Sequence, residues 1–392
     1  MTKFLEKTAQ YVLEKHAGQM QDICIVLPNR RGGLFLKQYL SAAAGKTIWS
    51  PAIFSVEDFF SSISGLHLIS LTEQLFELFE VHRGSEEEKE NKKEEEKNIK
   101  FDEFLGWGPQ MLHDFGETDS YLVDADQLFH YLSESKAISL WNPGGKPLTE
   151  FEKKYLSFYN SLDDYYKKYR ERLAAGGKAY PGMLFRDVAD RIGSIQIPWK
   201  KIIVAGMNAL TTAEEKVYNH LYREGLIEFL WDADEYYVSD HHQEAGRFIR
   251  GWMKKWPEME FNWLEDHFRN EKQILISGIP DDLGQVKYCG QLLKELLEKK
   301  VPAEEIAIVL PDEQLLVPLL NSIPPEVENI NVTMGLPLRF TPLYTFFDLL
   351  FQLHLNVPRF RREGDKSSYR FYFRDILAIL HHPYISSLTF DS

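Results

Sequence analysis

The feature that most constrains this chain is a segment that occurs twice. Residues 23–40, ICIVLPNRRGGLFLKQYL, and residues 306–323, IAIVLPDEQLLVPLLNSI, align without a gap 283 positions apart. Ile23 matches Ile306, Ile25 matches Ile308, Val26 matches Val309, Leu27 matches Leu310, Pro28 matches Pro311, and Asn29 stands against Asp312. The apolar phase continues through Leu36 and Leu319 to Leu40 and Ile323. Each copy is a short apolar run, a Pro-Asn or Pro-Asp turn, and then apolar residues at helical spacing. A run without polar alternation suits a parallel strand covered on both faces. Pro has no N–H for a ladder and Asn or Asp favours a helix start, so the turn ends the strand and opens a helix. Apolar letters alone recur by chance; the shared turn points to two related α/β lobes.

Other runs extend the pattern. Lys201–Ala205, Ile227–Trp231 and Gln273–Ile279 are also short and apolar, and most precede a helical stretch. Strand, loop and helix in alternation predict an α/β fold. Between them, residues 66–195 read as mostly helical: LTEQLFELFEVH sets Leu71, Leu75, Leu78 and Phe79 at helical spacing, and Leu148 to Ala174 is rich in Tyr and Phe. The expected organisation is a first lobe from 1–65 plus 196–268, a helical insertion over 66–195, a second lobe over 271–342, and a further helical region over 343–392. Inside the insertion, 84–100 (GSEEEKENKKEEEKNIK) is almost wholly charged and predicts a solvated loop or fraying helix. The chain ends at Phe390-Asp391-Ser392 with no obvious terminal strand or cap, so it reads as cut short.

Composition excludes several classes. With 45 Lys plus Arg against 59 Asp plus Glu, the net charge of −14 opposes indiscriminate nucleic-acid coating but leaves room for a local basic groove. Two cysteines, Cys24 and Cys289, are too few for a disulfide scaffold, a four-Cys zinc site or a four-Cys iron–sulfur cluster. The first residues form an amphipathic pattern, not a signal peptide, and the longest apolar stretch, Leu343 to Leu355, is too short to cross a bilayer. The chain reads as reduced, cytoplasmic and free of the membrane.

Four segments carry candidate chemistry. Ala44-Gly45-Lys46-Thr47 has the end of a phosphate loop, but Leu40 replaces its first glycine and a helix precedes it where a strand is needed; Gly45 reads better as a helix C-terminal turn. Pro28-Asn29-Arg30-Arg31-Gly32-Gly33 follows a strand and opens a helix at the edge where α/β sheets bind ligands. Asn29, Arg30, Arg31, Gly32 and Gly33 would suit backbone phosphate, while the bland alternative is a solvated loop whose arginines pair with surplus carboxylates. Gly206-Met207-Asn208 follows a second strand, with Asn208 facing a ligand or merely ending the strand, and Thr212 with Glu215 predicts a capping box. Asp232 and Asp234 end a third strand and would point the same way if it persisted, a weak magnesium pair set against the commoner solvated strand end. The histidine pairs His241-His242 and His381-His382 lack metal-ligand spacing, and no catalytic constellation is present.

The order of these segments, with FDEFLGWGPQMLHDFGETDSYLVDADQLF, VAGMNALTTAEEKVYNHL, LWDADEYY, NVTMGLPL and DILAILHHPYI between and after them, resembles the AddB-type proteins of Bacteroidetes-like bacteria. These are helicase–nuclease subunits of double-strand-break processing, related to UvrD-like helicases. The resemblance covers nearly the whole chain and implies two RecA-like parallel-sheet lobes with inserted helical subdomains. It places a PD-(D/E)XK nuclease domain, with its magnesium and iron–sulfur cluster, downstream of residue 392, so no cofactor is expected in this chain. The chain opens directly with the first helix and has no phosphate loop, which fits subunits of this kind that have lost ATPase function. Asn29, Arg30 and Arg31 stand where helicases touch single-stranded DNA, and Asn208 is a further candidate contact. The function implied is a silent scaffold that holds single-stranded or duplex-end DNA and docks an AddA-type motor subunit. Two rivals remain open: a magnesium-dependent nucleotide hydrolase using Asp232 and Asp234, and a protein–protein module whose acidic surface takes a basic partner.

Overall fold

The structure is a computed structural model that describes residues 2–87, 100–139, 148–256, 263–360 and 370–387. Most of the charged run 84–100 therefore lies outside the described residues. The chain divides into two compact units, Met1–Glu271 and Lys272–Ser392.

The first unit grows from β1 (Ile23–Leu27), whose five residues are all buried. Helix α1 (Phe4–His16) precedes it, and α2 (Arg30–Ala44), β2 (Ala52–Ser55) and α3 (Val56–Ser64) follow. A helical block comes next: β3 (His67–Leu68), α4 (Leu71–Glu87), α5 (Phe101–Leu105), α6 (Gly108–Ser120), α7 (Ala125–Ser139), α8 (Glu150–Ala175), β4 (Lys178–Ala179) and α9 (Pro181–Arg191). The chain then returns through β5 (Lys201–Ala205), α10 (Thr212–Arg223), β6 (Ile227–Leu230), β7 (Ala233–Asp234), α11 (Glu235–Ser239), α12 (Arg247–Lys255) and β8 (Leu264–Glu265). The main sheet has the order β2-β1-β5-β6, and every pair in it is parallel.

The period of two along a strand, with both faces covered, explains why these runs are apolar at nearly every position. Ile23, Ile25, Leu27, Ile203, Ala205 and Leu230 face Ala9 and Val12 of α1 and Leu36 and Leu40 of α2. Cys24, Val26, Ile202, Val204, Ile227 and Phe229 face the other way, into a core with Phe59 and Phe60 of α3, Val188 of α9 and Val217, Tyr218 and Leu221 of α10. The sheet is therefore the middle of three layers, and each side chain buried there contributes about 1.5–3 kcal/mol of hydrophobic stabilisation. Strand β2 has no counterpart in the sequence reading; it is a four-residue strand, half-buried for most of its length and paired on one side only, so its apolar signal is weak. The capping box falls one residue earlier than the sequence suggests. Thr211 Oγ1 accepts the Glu214 N–H at 3.3 Å, and Glu214 Oε2 accepts the Thr211 N–H at 2.6 Å.

The helical block is closed by the short parallel pair β3–β4, with His67 opposite Lys178 and Leu68 opposite Ala179. At its centre the fully buried carboxylate of Asp119, on α6, takes the hydroxyls of Tyr166 and Tyr180 and the guanidinium groups of Arg170 and Arg186. Helices α6 and α9 touch backbone to backbone beside it: a Cβ on Gly182 would lie 2.3 Å from the Gly116 carbonyl oxygen.

In the second unit the structure departs from expectation. Gln273–Ile279 and Ile306–Leu310 form neither helix nor strand, and neither belongs to a sheet among the described residues. Ile276 is 90% exposed and Val309 85%. A parallel strand exists only through its neighbours, and β1 owes its burial to β2 and β5 on either side; its echo has no such flanks. The turn, by contrast, is retained in both copies. Asn29 Oδ1 accepts the Gly32 N–H at 2.9 Å, and Asp312 Oδ1 accepts the Gln314 N–H at 2.9 Å. The unit's helices are α13 (Asp282–Glu298), α14 (Leu316–Leu320), α15 (Pro342–Asn356), α16 (Phe373–Leu380) and α17 (Pro383–Ser386). The fold is thus mixed α/β with one four-stranded parallel sheet. No described helix is long and apolar enough to cross a membrane.

Candidate functional site

Ligands of open α/β sheets bind beyond the carboxyl ends of the strands, at the point where successive crossovers take opposite faces. Here α2 leaves β1 on one face and α10 leaves β5 on the other, and these strands are neighbours. Val26 pairs with Val204, so the chain emerges at Pro28 and at Gly206 from adjacent strand ends.

The β1–α2 loop is already satisfied by its own contacts. Asn29 caps α2 and so occupies the Gly32 N–H that a phosphate would need. Gly33 is buried, with a hypothetical Cβ 3.1 Å from Ile53 Cγ2, so it seats α2 close against β2. Arg30 donates through Nε and Nη2 to both oxygens of Asp58, at 2.8 and 2.6 Å. That bonding holds the Asp58 carboxyl below the usual carboxylate range, burial pushing the other way and Ser55 Oγ, 2.7 Å from Oδ2, reinforcing it. Arg31 is half-buried and engaged within the fold. For Arg30, the pairing with a carboxylate weighed as the bland alternative is the arrangement present.

The remaining candidates come together elsewhere. A cavity of about 490 Å³ lies at the ends of β5 and β6, roofed by the first turns of α1. Asn208, Asp232 and Asp234 all line it, whereas Asn29 to Gly33 do not. Asn208 is exposed, and its carbonyl oxygen accepts the Trp252 indole N–H at 2.7 Å, which pins the segment after β5. Partial burial raises the Asp232 carboxyl above its ordinary range, an effect the charge of Lys7 partly offsets.

Asp234 does something different from either sequence alternative. Its Oδ1 accepts the Tyr236 N–H at 3.0 Å, and Oδ2 accepts the N–H groups of His267 at 2.8 Å and Phe268 at 3.0 Å. Burial opposes its ionisation, but these three donations together outweigh it and keep the carboxyl below its usual range. Asp234 is therefore a clasp between α11 and the segment after β8, neither a solvated strand end nor a free metal ligand. Among the described residues no three His, Cys, Asp or Glu side chains gather as a metal site.

The cavity's other wall rests on close backbone packing. A Cβ on Gly246 would come within 1.8 Å of the Tyr237 carbonyl oxygen. Beneath it Arg250 donates to the carbonyls of Tyr237, Asp240 and Gln243 at 2.6, 2.9 and 2.8 Å. Opposite, Phe4 meets Trp263 edge to face at 5.7 Å, Lys7 is ion-paired with Glu265, and His267 Nε2 lies 2.6 Å from that same carboxylate. The sequence reading missed Lys7, Glu265 and His267. Lys3 and Lys7 at i, i+4 on the first helix were a readable signal; a two-residue strand such as β8 leaves none.

Chemically, the cavity offers apolar walls of Phe4, Met207, Ile249 and Trp263 with a few charged groups, of which Lys7, Glu265 and His267 are already paired with one another. It can hold a small ligand, and among the described residues that line it no nucleophile is shown hydrogen-bonded to a base. Comparison with known protein families and with curated proteins finds no match.

Proposed function

We propose that this chain is the helicase-like, ATPase-inactive scaffold of an AddAB-type helicase–nuclease in double-strand-break repair, holding a DNA strand and docking a motor subunit in the cytoplasm. The observation that carries this reading is topological: the helical block interrupts a parallel sheet between β2 and β5, as an inserted subdomain interrupts a helicase lobe. The DNA contact is assigned to Arg30 and Arg31 with Asn29 and Asn208, at two adjacent strand ends. Nuclease chemistry, with its magnesium and iron–sulfur cluster, belongs in this reading to a domain outside residues 1–392.

Silence toward ATP is supported by where Gly45, Lys46 and Thr47 fall. Gly45 caps the C-terminus of α2 in the left-handed conformation, at φ 60°. Fifteen helical residues separate it from the carboxyl edge, about 22 Å at 1.5 Å per residue. The magnesium-hydrolase alternative needs both Asp232 and Asp234 free, and the three N–H bonds on Asp234 count against it.

The test is fluorescence anisotropy with a single-stranded oligonucleotide across a salt series. Arg31→Ala and Arg30→Ala should each weaken binding and lower the salt slope by about one. Wild-type protein that binds no DNA at low salt, or DNA-stimulated ATP turnover abolished by Asp232→Ala, would overturn the proposal.

A further inference from the structure

We infer that Asp58 is a built-in competitor for the anion that Arg30 binds, so that a DNA phosphodiester must displace a carboxylate to take the Nε–Nη2 edge of Arg30 in the β1–α2 loop. This deepens the DNA-binding reading above and rests on it.

The guanidinium fork recognises carboxylate and phosphate through the same pair of parallel N–H bonds. Asp58 occupies the Nε–Nη2 edge of the Arg30 guanidinium, so a phosphate and Asp58 cannot hold that edge together. The pair sits at the surface, with side-chain exposures of 76% for Arg30 and 31% for Asp58, so nothing has to unfold for the exchange.

The two partners are held unequally. Asp58 lies in the first turn of α3, where the helix dipole favours a negative charge, and the Ser55 hydroxyl donates to it at 2.7 Å. Its own N–H is anchored on Ser55 Oγ at 3.2 Å. The hydrogen bonds and ion pair of the Arg30 guanidinium run to Asp58, and the charge of neighbouring Glu57 adds only a smaller attraction. When the pair opens, the carboxylate stays where it is, still stabilised, and the arginine is the arm that swings.

The consequence is selectivity. A tethered carboxylate acts at an effective local concentration in the millimolar range, which a lone phosphate ion must exceed. A polyanion gains from several simultaneous contacts and from counterion release, so it wins where a single anion loses. The loop is thereby tuned toward a nucleic-acid backbone and away from free phosphate.

A double-mutant cycle with Arg30→Ala and Asp58→Asn, read by anisotropy with a single-stranded oligonucleotide, tests this. Asp58→Asn should tighten binding about two- to fivefold, the range expected from removing an exposed ion pair, and should leave affinity unchanged in the Arg30→Ala background. Inorganic phosphate at millimolar concentration should compete with DNA on Asp58→Asn more strongly than on wild type. Equal tightening in both backgrounds would show a mere field effect and overturn the latch, as would no tightening at all. No DNA binding by any of the four proteins would overturn the DNA reading itself. Asp58→Ser, which also removes the charge, serves if Asp58→Asn fails to fold.

Discussion

The buried carboxylate of Asp119 gives the sharpest test of how the helical block is held. Replacing it with Ala leaves the guanidinium groups of Arg170 and Arg186, 25% and 17% exposed, without their counter-charge. Removing one partner of a buried ion pair typically costs about 3–5 kcal/mol. The low end applies, because Arg170 keeps the Tyr166 hydroxyl at 2.9 Å and Arg186 keeps the carbonyls of Thr118 and Val123 at 2.9 and 2.6 Å. The Tyr180 hydroxyl, fully desolvated, loses its acceptor and adds about 1 kcal/mol. The total is about 4 kcal/mol, a large part of the roughly 5–15 kcal/mol that stabilises a folded protein. In urea, with a slope near about 3 kcal/mol/M, the midpoint should fall by about 1 to 2 M. The triple variant Asp119→Ala/Arg170→Met/Arg186→Met should recover much of that loss, since no uncompensated charge remains. A loss below about 1 kcal/mol for Asp119→Ala, or a triple variant as unstable as the sum of its parts, would refute the reasoning.

Further expectations concern other residues of the chain. Gly116→Ala and Gly182→Ala should act in opposite directions by urea unfolding: the first has open space in a helix and should stabilise by up to about 1 kcal/mol, while the second meets a backbone carbonyl at 2.3 Å and should destabilise by about 1–3 kcal/mol. Burial raises the hydroxyl pKa of Tyr166, Tyr169, Tyr180 and Tyr218, so the folded state keeps protons that unfolded tyrosines lose near pH 10. Stability should therefore hold up to about pH 10 and fall above it, and an unfolding midpoint indifferent to pH between 9 and 11 would contradict this. Asp234→Ala should raise amide hydrogen exchange at Tyr236, His267 and Phe268 without altering exchange along β1. Burial pushes the Cys24 thiol up to about 12, so thiol titration of the native protein should find it inert while the partly exposed Cys289 reacts.

What the sequence disclosed was the part of the fold that burial writes into it. Strands β1, β5 and β6 lie in the sheet's interior or against thick helical cover, so nearly all their residues are apolar, Lys201 and Glu228 excepted, and their limits could be read within a residue. Strand β2 and the two-residue pairs leave no such trace. Ile306–Leu310 carries four of the five letters of β1 without its neighbours, because composition records a preference for burial and cannot supply the partner. At the candidate site, residue types were legible and alliances were not. Asp232 and Asp234 look equivalent in sequence and both line the cavity, yet it is Asp234 that clasps three backbone N–H groups. Arg30 and Arg31 look like a pair, yet Arg30 is bound to a carboxylate 28 residues away.

The insertion between β2 and β5 also sets an order of events during synthesis. Ile23 pairs with Lys201, so β1 gains its second neighbour only after another 178 residues have been made. At about 5–20 residues per second that interval is roughly 10 to 35 seconds. Through it the nascent chain carries Ile23–Leu27 with at most an edge strand beside it, while α4 to α9 have the local contacts to fold early. An apolar β-segment waiting that long is a chaperone's substrate. The five residues that build the centre of the sheet are thus also the chain's period of greatest exposure to aggregation, and a slow-translating host would lengthen it.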